Sequence, residues 1–209
     1  DWQGARRPEA KTLSGRFCRL EALSAECHAQ ALFAAFSADT EGRNWTYLPY
    51  GPFASATDFA SWVITVTAST DTLFFAIIDL ANGAPVGIAS YLRITPEQGT
   101  IEVGHLNFSP AMQRTPIATE AMWLMMREAF ALGFRRYEWK CNVLNGPSRR
   151  AAQRLGFSFE GVFRQAAVVK GRNRDTAWYA AINHEWPALD AAFKTWLAAE
   201  NFDAEGHQR

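Results

Sequence analysis

With 209 residues, 48% of them hydrophobic, the chain is long enough to close one domain around a full core. Its 21 Lys and Arg balance 21 Asp and Glu, so no global field draws it to nucleic acid or to an anionic membrane. No apolar run reaches the length of a membrane span, and the first residues lack the pattern of a signal peptide. Cys18, Cys27 and Cys141 are odd in number and form no C-x-x-C pair, which fits reduced thiols in a cytoplasm. His28, His105, His184 and His207 are scattered, so no metal site is expected.

In chain order, residues 1–11 show no periodicity and are expected to form a loosely held arm. Residues 12–23 alternate and read as a first strand. Ser24 is the N-cap of a helix ending near Ser37, with Leu32, Phe33 and Phe36 as its apolar stripe. A loop dense in aromatics comes next, carrying Trp45, Tyr47, Tyr50 and Phe53. Ser55, with Asp58 three residues on, has the form of a capping box and starts a second helix through Trp62, Val63 and Val66.

Residues 73–79 and 85–94 are β-rich runs joined across Asn82-Gly83, a hairpin signal. Pro96-Glu97-Gln98-Gly99 turns the chain into a strand over 100–108. A helix over 116–132 then stops at Gly133. The next strand, 136–141, is expected parallel to its predecessor because a helix intervenes. Residues 142–155 hold a loop and a short helix stopped by Gly156. Strands over 157–170 and 175–182 pair antiparallel around Gly171-Arg172-Asn173, and 185–199 is a final amphipathic helix within a C-terminal segment, 184–209, packed on the domain.

The stretch from Phe108 to Ala121 organises this plan. A strand feeding a turn that opens a helix makes an anion cradle, since first-turn N–H groups lack partners and the macrodipole adds positive potential. Thr115 reads as N-cap and Pro116 as the first helical residue. The donors are the amides of Arg114, Thr115, Ile117 and Ala118, with the Arg114 guanidinium behind them; a capped helix with no ligand accounts for the same letters.

This stretch resembles the coenzyme A pyrophosphate loop of the GNAT acetyltransferases, Gln/Arg-x-x-Gly-x-Gly/Ala. Gln113 matches its first position and Ala118 its last, whereas Pro116 replaces the usual Gly and removes one donor. A second signature of that family, Asn followed by Ser, a short helix and Leu-Gly-Phe, is matched by Asn145, Ser148 and Leu155-Gly156-Phe157. Glu102-Val103-Gly104-His105 and Thr119-Glu120-Ala121 are similar to the RimJ/RimL branch, which acetylates protein N-termini. The resemblance spans residues 12–183. It implies a GNAT α/β fold: a mostly antiparallel mixed sheet with one splayed parallel pair and helices on both faces.

The resemblance also implies chemistry. Acetyl-coenzyme A is the expected acyl donor, transferring directly to an amine in a ternary complex. Backbone groups of Leu106, Asn107 and Phe108 would face its thioester, where one oxyanion donor is typically worth about 3 kcal/mol. Gln113, Thr119, Asn145, Arg149 and Arg154 join the cradle residues as cofactor contacts. Ser148 is the expected proton donor to the thiolate, its alternative role being the N-cap of its helix. Glu102 is the first choice of base, acting through water; His105 is the second and Glu138 a third. Strand alternation puts Glu102 and His105 on opposite faces. Trp45, Tyr47, Tyr50 and Phe53 are expected to roof the acceptor pocket or to pack as core. The acceptor is expected to be a peptide or protein N-terminal α-amine. A small amine such as an antibiotic or polyamine, and a non-catalytic coenzyme A-binding module, are the alternatives, and a homodimer is left open.

Overall fold

The structure, a computed structural model, describes residues 2–203. Eight strands form one sheet: β1 (Leu13–Ser14), β2 (Cys18–Ala22), β3 (Leu73–Asp79), β4 (Pro85–Thr95), β5 (Thr100–Phe108), β6 (Arg136–Asn142), β7 (Ser158–Val169) and β8 (Arg172–Ile182). Their order is β1-β2-β3-β4-β5-β6-β8-β7, antiparallel throughout except for β5 and β6. Helices α1 (Ala25–Ser37) and α2 (Ala56–Thr67) cover one face, and α3 (Pro116–Ala131) covers the other. Two short helices, α4 (Gly146–Arg154) and α5 (Trp186–Trp196), complete the second layer. This is the mixed α/β architecture with a single parallel pair that the sequence implies.

With both faces covered, alternate residues of β3 feed different cores. Phe75 and Ile77 join the α3 side, while Phe74, Ala76 and Ile78 join the α1–α2 side. That is why β3 reads as a continuous apolar run rather than an alternating one.

The helix starts are local and were legible. The Ser24 side chain accepts from the Cys27 amide, and Ser55 accepts from Asp58 while its hydroxyl donates to the Asp58 carboxylate. Two expectations need correction. The first strand is broken, because residues between Ser14 and Cys18 turn and the Gly15 amide closes back on the Cys18 carbonyl at 2.9 Å.

The second correction concerns the N-terminal segment, which is docked rather than loose. The Arg6 amide donates to Leu132 O at 2.9 Å, Trp2 Nε1 to Gly133 O at 2.8 Å, and Lys11 pairs with Glu128 at 2.8 Å. Gly133 permits the approach: its φ is 92°, and a Cβ there would stand 2.8 Å from Gly4 O. At the other end α5 lies on α3 through a Trp123–Asp190 hydrogen bond of 2.8 Å and a Trp186–Phe130 stack. Asp1 of the expected arm, and residues 204–209 of the C-terminal segment with His207, lie outside the described residues. No helix among the described residues is long and apolar enough to cross a membrane, and none of their side chains forms a three-ligand metal cluster.

Candidate active site

Two parallel strands part to make the site. β5 pairs with β6 only over Thr100–Val103, opposite Arg136–Trp139. Beyond that, β5 stays with β4, with Ile88 opposite Asn107, while β6 stays with β8, with Cys141 opposite Ala177. A bulge drives the parting: two residues of β5, His105 and Leu106, stand opposite one of β4, and His105 takes a left-handed φ of 52°. Bulges sharpen local twist and bend the strand that carries them. The gap opens into a cavity of about 410 Å³, lined by both strands, the loop around Tyr47 to Pro49, and the β7–β8 hairpin.

The bulge also overturns the expected alternation. Glu102 and His105 both line this cavity, because the inserted residue resets the inside–outside pattern. Neither is free. Glu102 is buried and clamped by Arg93 at 2.6 Å and Lys140 at 2.9 Å. Lys140 also holds Glu138 at 2.7 Å and lies 3.7 Å from the centre of the Trp178 ring. Burial pushes the Glu138 carboxyl up, but hydrogen bonds from Arg136 and Lys140 outweigh it and leave it below the usual range.

His105 Nδ1 sits 3.1 Å from the Tyr50 hydroxyl, with the two rings stacked. Burial, aided by the charge of Arg93, lowers the imidazole to about 4, so it is neutral near pH 7. Burial likewise holds the Tyr50 phenol above its ordinary range. Arg93, Lys140 and Trp178 were not singled out from the sequence. The run Arg136, Glu138, Lys140 on one face of a central strand was the signal available, since such a face is normally apolar.

At the start of α3 the cradle is present with fewer donors than expected. Thr115 is the N-cap by position, but its hydroxyl donates to Met112 O at 2.7 Å instead of capping the helix. Its amide turns back to the same carbonyl at 3.3 Å. The amides of Arg114, Ile117 and Ala118 remain as the candidate anion donors, with Arg114 in a left-handed conformation at φ 63°. The Gln113 side chain turns away from the cradle, donating to Phe108 O at 2.8 Å and Asn44 Oδ1 at 3.0 Å. Thr119 accepts from Arg154 at 3.0 Å, tying α4 to the first turns of α3.

In α4 the cap is Asn145, not Ser148. Asn145 Oδ1 accepts the Ser148 amide at 3.1 Å, which leaves its amide nitrogen and a second lone pair of the oxygen for a ligand. Ser148 lines the cavity, and its Oγ accepts from Trp139 Nε1 at 3.0 Å, so its own hydrogen is available to another acceptor. Burial raises the neighbouring Cys141 thiol, with Ser148 pulling the other way. Arg149 spends its side chain on the Tyr179 hydroxyl and Val143 O. On the aromatic loop the four expected residues divide. Trp45 is buried against Phe36 and Phe53 in the α1–α2 core, Tyr50 backs His105, and Tyr47 alone of the four lines the main cavity. The Tyr47 hydroxyl reaches across to Leu144 O at 3.0 Å, a strap between the loop and the end of β6.

Comparison with known proteins agrees with this geometry. Residues 18–158 match the acetyltransferase (GNAT) domain. A crystal structure of a GCN5-related N-acetyltransferase from Brucella melitensis is similar at a TM-score of 0.96 and 49% identity, over 100% of this chain and 95% of that one. A probable acetyltransferase of the GNAT family from Chromobacterium violaceum matches at 0.84 and 40%, over 89% and 93% of the respective chains. Among curated proteins, the ribosomal-protein-serine acetyltransferase of Escherichia coli (strain K12) is 32% identical over 98 residues, 46% of this chain and 54% of that protein. The match thus spans about half the length of that curated relative. The chain belongs to the GNAT family of acetyl-coenzyme A-dependent acetyltransferases, and within it resembles the RimJ/RimL branch.

Proposed function

We propose that this chain acetylates the α-amine of a peptide or protein N-terminus, by direct transfer from acetyl-coenzyme A in a ternary complex within the cytoplasm. The observation that carries the reading is the parting of β5 from β6 beside an uncapped helix start. The residues fit the cofactor. The amides of Arg114, Ile117 and Ala118 would hold its pyrophosphate, with the Arg114 guanidinium beside them. Polar backbone edges of β5 at Leu106 to Phe108 lie where β6 no longer pairs with them, and they would orient the acyl arm. Acetyl-coenzyme A supplies the activated acyl group as a thioester.

The remaining steps belong to the chain's own groups. Backbone N–H groups of β5 would stabilise charge developing on the acyl oxygen, and Ser148 would pass its hydroxyl proton to the departing sulfur while taking up, directly or through water, the proton that the acylated nitrogen loses. Base catalysis is weak by construction. Glu102 is held in an ion pair with Arg93 and Lys140, and His105 is too acidic in its imidazolium form to take a proton from an ammonium. An acceptor that is substantially deprotonated near neutral pH suits such a site, which favours an α-amine over a lysine side chain. The likeness to a ribosomal-protein-serine acetyltransferase points the same way.

The test is a competition between a peptide with a free N-terminus and its N-blocked, lysine-containing twin, with the acetylated position read by mass spectrometry. Modification of the free N-terminus is expected. Preferential acetylation of the lysine, or of a polyamine or aminoglycoside over both, overturns the reading, and no turnover at all would leave a coenzyme A-binding module.

Two further results are expected. Coenzyme A at a hundredfold excess over its Kd should stabilise the fold by about 2.7 kcal/mol, and Arg114→Ala should shrink the melting shift. An unmoved melting temperature at millimolar ligand would remove the cradle. Ser148→Ala should lower kcat about 10²-fold while the coenzyme A-induced shift persists, the scale expected of a lost proton donor. It should also cost about 1–2 kcal/mol of stability, because the buried Trp139 indole loses its acceptor. Lost stability with unchanged kcat would leave Ser148 as an acceptor for Trp139 only.

A further inference from the structure

A second cavity, of about 400 Å³, adjoins the first on the far side of the Tyr47 strap and shares Tyr47, Asn142 and Arg174 with it. Its wall carries Lys170, Arg172 and Arg174 from the turn and strands of the β7–β8 hairpin, and no Asp or Glu. The Lys170 ammonium donates to Trp45 O at 2.9 Å and Gly51 O at 2.8 Å, which fixes the hairpin tip against the aromatic loop and leaves one donor over. Arg174 spends its Nε on Thr176 at 3.2 Å, and the two ends of its guanidinium fork remain.

The carboxylates on the flanking segments are bonded to other groups and none pairs with these cations. Asp175 accepts the Gln165 amide and the Asn173 side chain, Glu41 pairs with Arg43, and Asp39 accepts the Asn44 amide. Among the described residues no carboxylate lies within ion-pair distance of Lys170, Arg172 or Arg174. The main cavity differs, because there Glu102 is matched by Arg93 and Lys140. In a chain of zero net charge, three cations and no carboxylate are therefore gathered on the wall of one concavity next to the reacting end.

From this we infer that the acceptor runs on from its amine into the second cavity and carries acidic side chains there: the preferred substrate is a peptide whose residues just after the first are Asp or Glu. The inference rests on the N-terminal reading and extends it to the residues beyond the amine. None of the second cavity's lining comes from α3, where the phosphate cradle lies; Lys170 and Arg172 line the second cavity alone, and Arg174 borders both.

The experiment uses peptides with one shared first residue, followed by Asp/Glu, Asn/Gln or Lys. We expect kcat/KM to favour the acidic over the neutral series by about tenfold at low salt, mostly through KM, with the basic series lowest. The preference should fade toward about 0.5 M salt, where the Debye length is short. Arg172→Glu with Arg174→Glu should shift the preference to the basic series and leave the coenzyme A-induced melting shift unchanged. Arg172→Gln with Arg174→Gln, a milder pair, should flatten the preference. Equal rates for the three series in the native protein overturn the inference and leave the N-terminal reading standing. So does loss of the coenzyme A shift in the Gln pair, which would give these cations to the nucleotide. No acetylation of any peptide overturns the N-terminal reading itself.

Discussion

Glu120→Ala should cost the fold about 4 kcal/mol, the largest stability effect expected of a single side chain here. Glu120 projects from α3, is 2% exposed, and accepts three backbone amides, from Arg16 at 2.8 Å, Phe17 at 2.7 Å and Cys18 at 2.8 Å. Those amides belong to the turn that breaks the first strand into β1 and β2, and no sheet partner replaces the carboxylate. Truncation leaves three donors short of an acceptor, at about 1–3 kcal/mol for each one buried, part of which water recovers. Gly15 is part of the same device, because a Cβ there would fall 2.3 Å from the Glu120 carboxyl carbon. The nearby Cys18 thiol shows the local field: burial, then the Glu120 charge, pushes it above its ordinary range. Glu120→Gln keeps one acceptor oxygen but turns an NH2 toward an N–H, so about half the loss is expected. Denaturant unfolding with unchanged slope measures both variants. A loss below about 1 kcal/mol for the alanine variant would mean that the turn holds its shape without the carboxylate.

The second large effect is in pH and acceptor choice. The logarithm of kcat/KM for an N-terminal peptide should rise with unit slope and level off near pH 8, tracking the acceptor amine and not the enzyme. His105, lowered to about 4 chiefly by burial, is already neutral across that range and contributes no limb. A lysine acceptor, with a pKa about 2.6 units higher, bears an added deprotonation cost of about 3.5 kcal/mol near neutrality, roughly 400-fold in rate. Supplying that difference would take a free, basic group against the amine. The cleft offers a clamped Glu102 and a depressed His105. An inflection between pH 6 and 7 that disappears in His105→Gln would show instead that the imidazole of the free enzyme titrates there and takes the proton.

The features legible in the sequence are those that close within a few residues. The Ser24 and Ser55 caps bond amides three positions on, and Pro116 opens α3 where its missing N–H costs least. The parallel pairing of β5 and β6 came from the helix between them. Two family signatures at the right separation then located the cleft, and with it Ser148.

Long-range partners decided the rest. Strand alternation separated Glu102 from His105, but one extra residue in β5 against β4 brought them to the same cavity. Periodicity does not show a bulge, because it depends on which residues the neighbouring strand offers. Ser148 had the letters of an N-cap; the cap is Asn145, and Trp139 from β6 claims the hydroxyl. Trp45 and Tyr47, two positions apart, separate into core and cleft because a loop has no fixed period to assign its faces. Glu120 sits inside a branch-like motif, yet its partners lie more than 100 positions away. Which carboxylates are spoken for is a property of packing between distant segments, and that pairing leaves Glu102 committed and the second cavity positive.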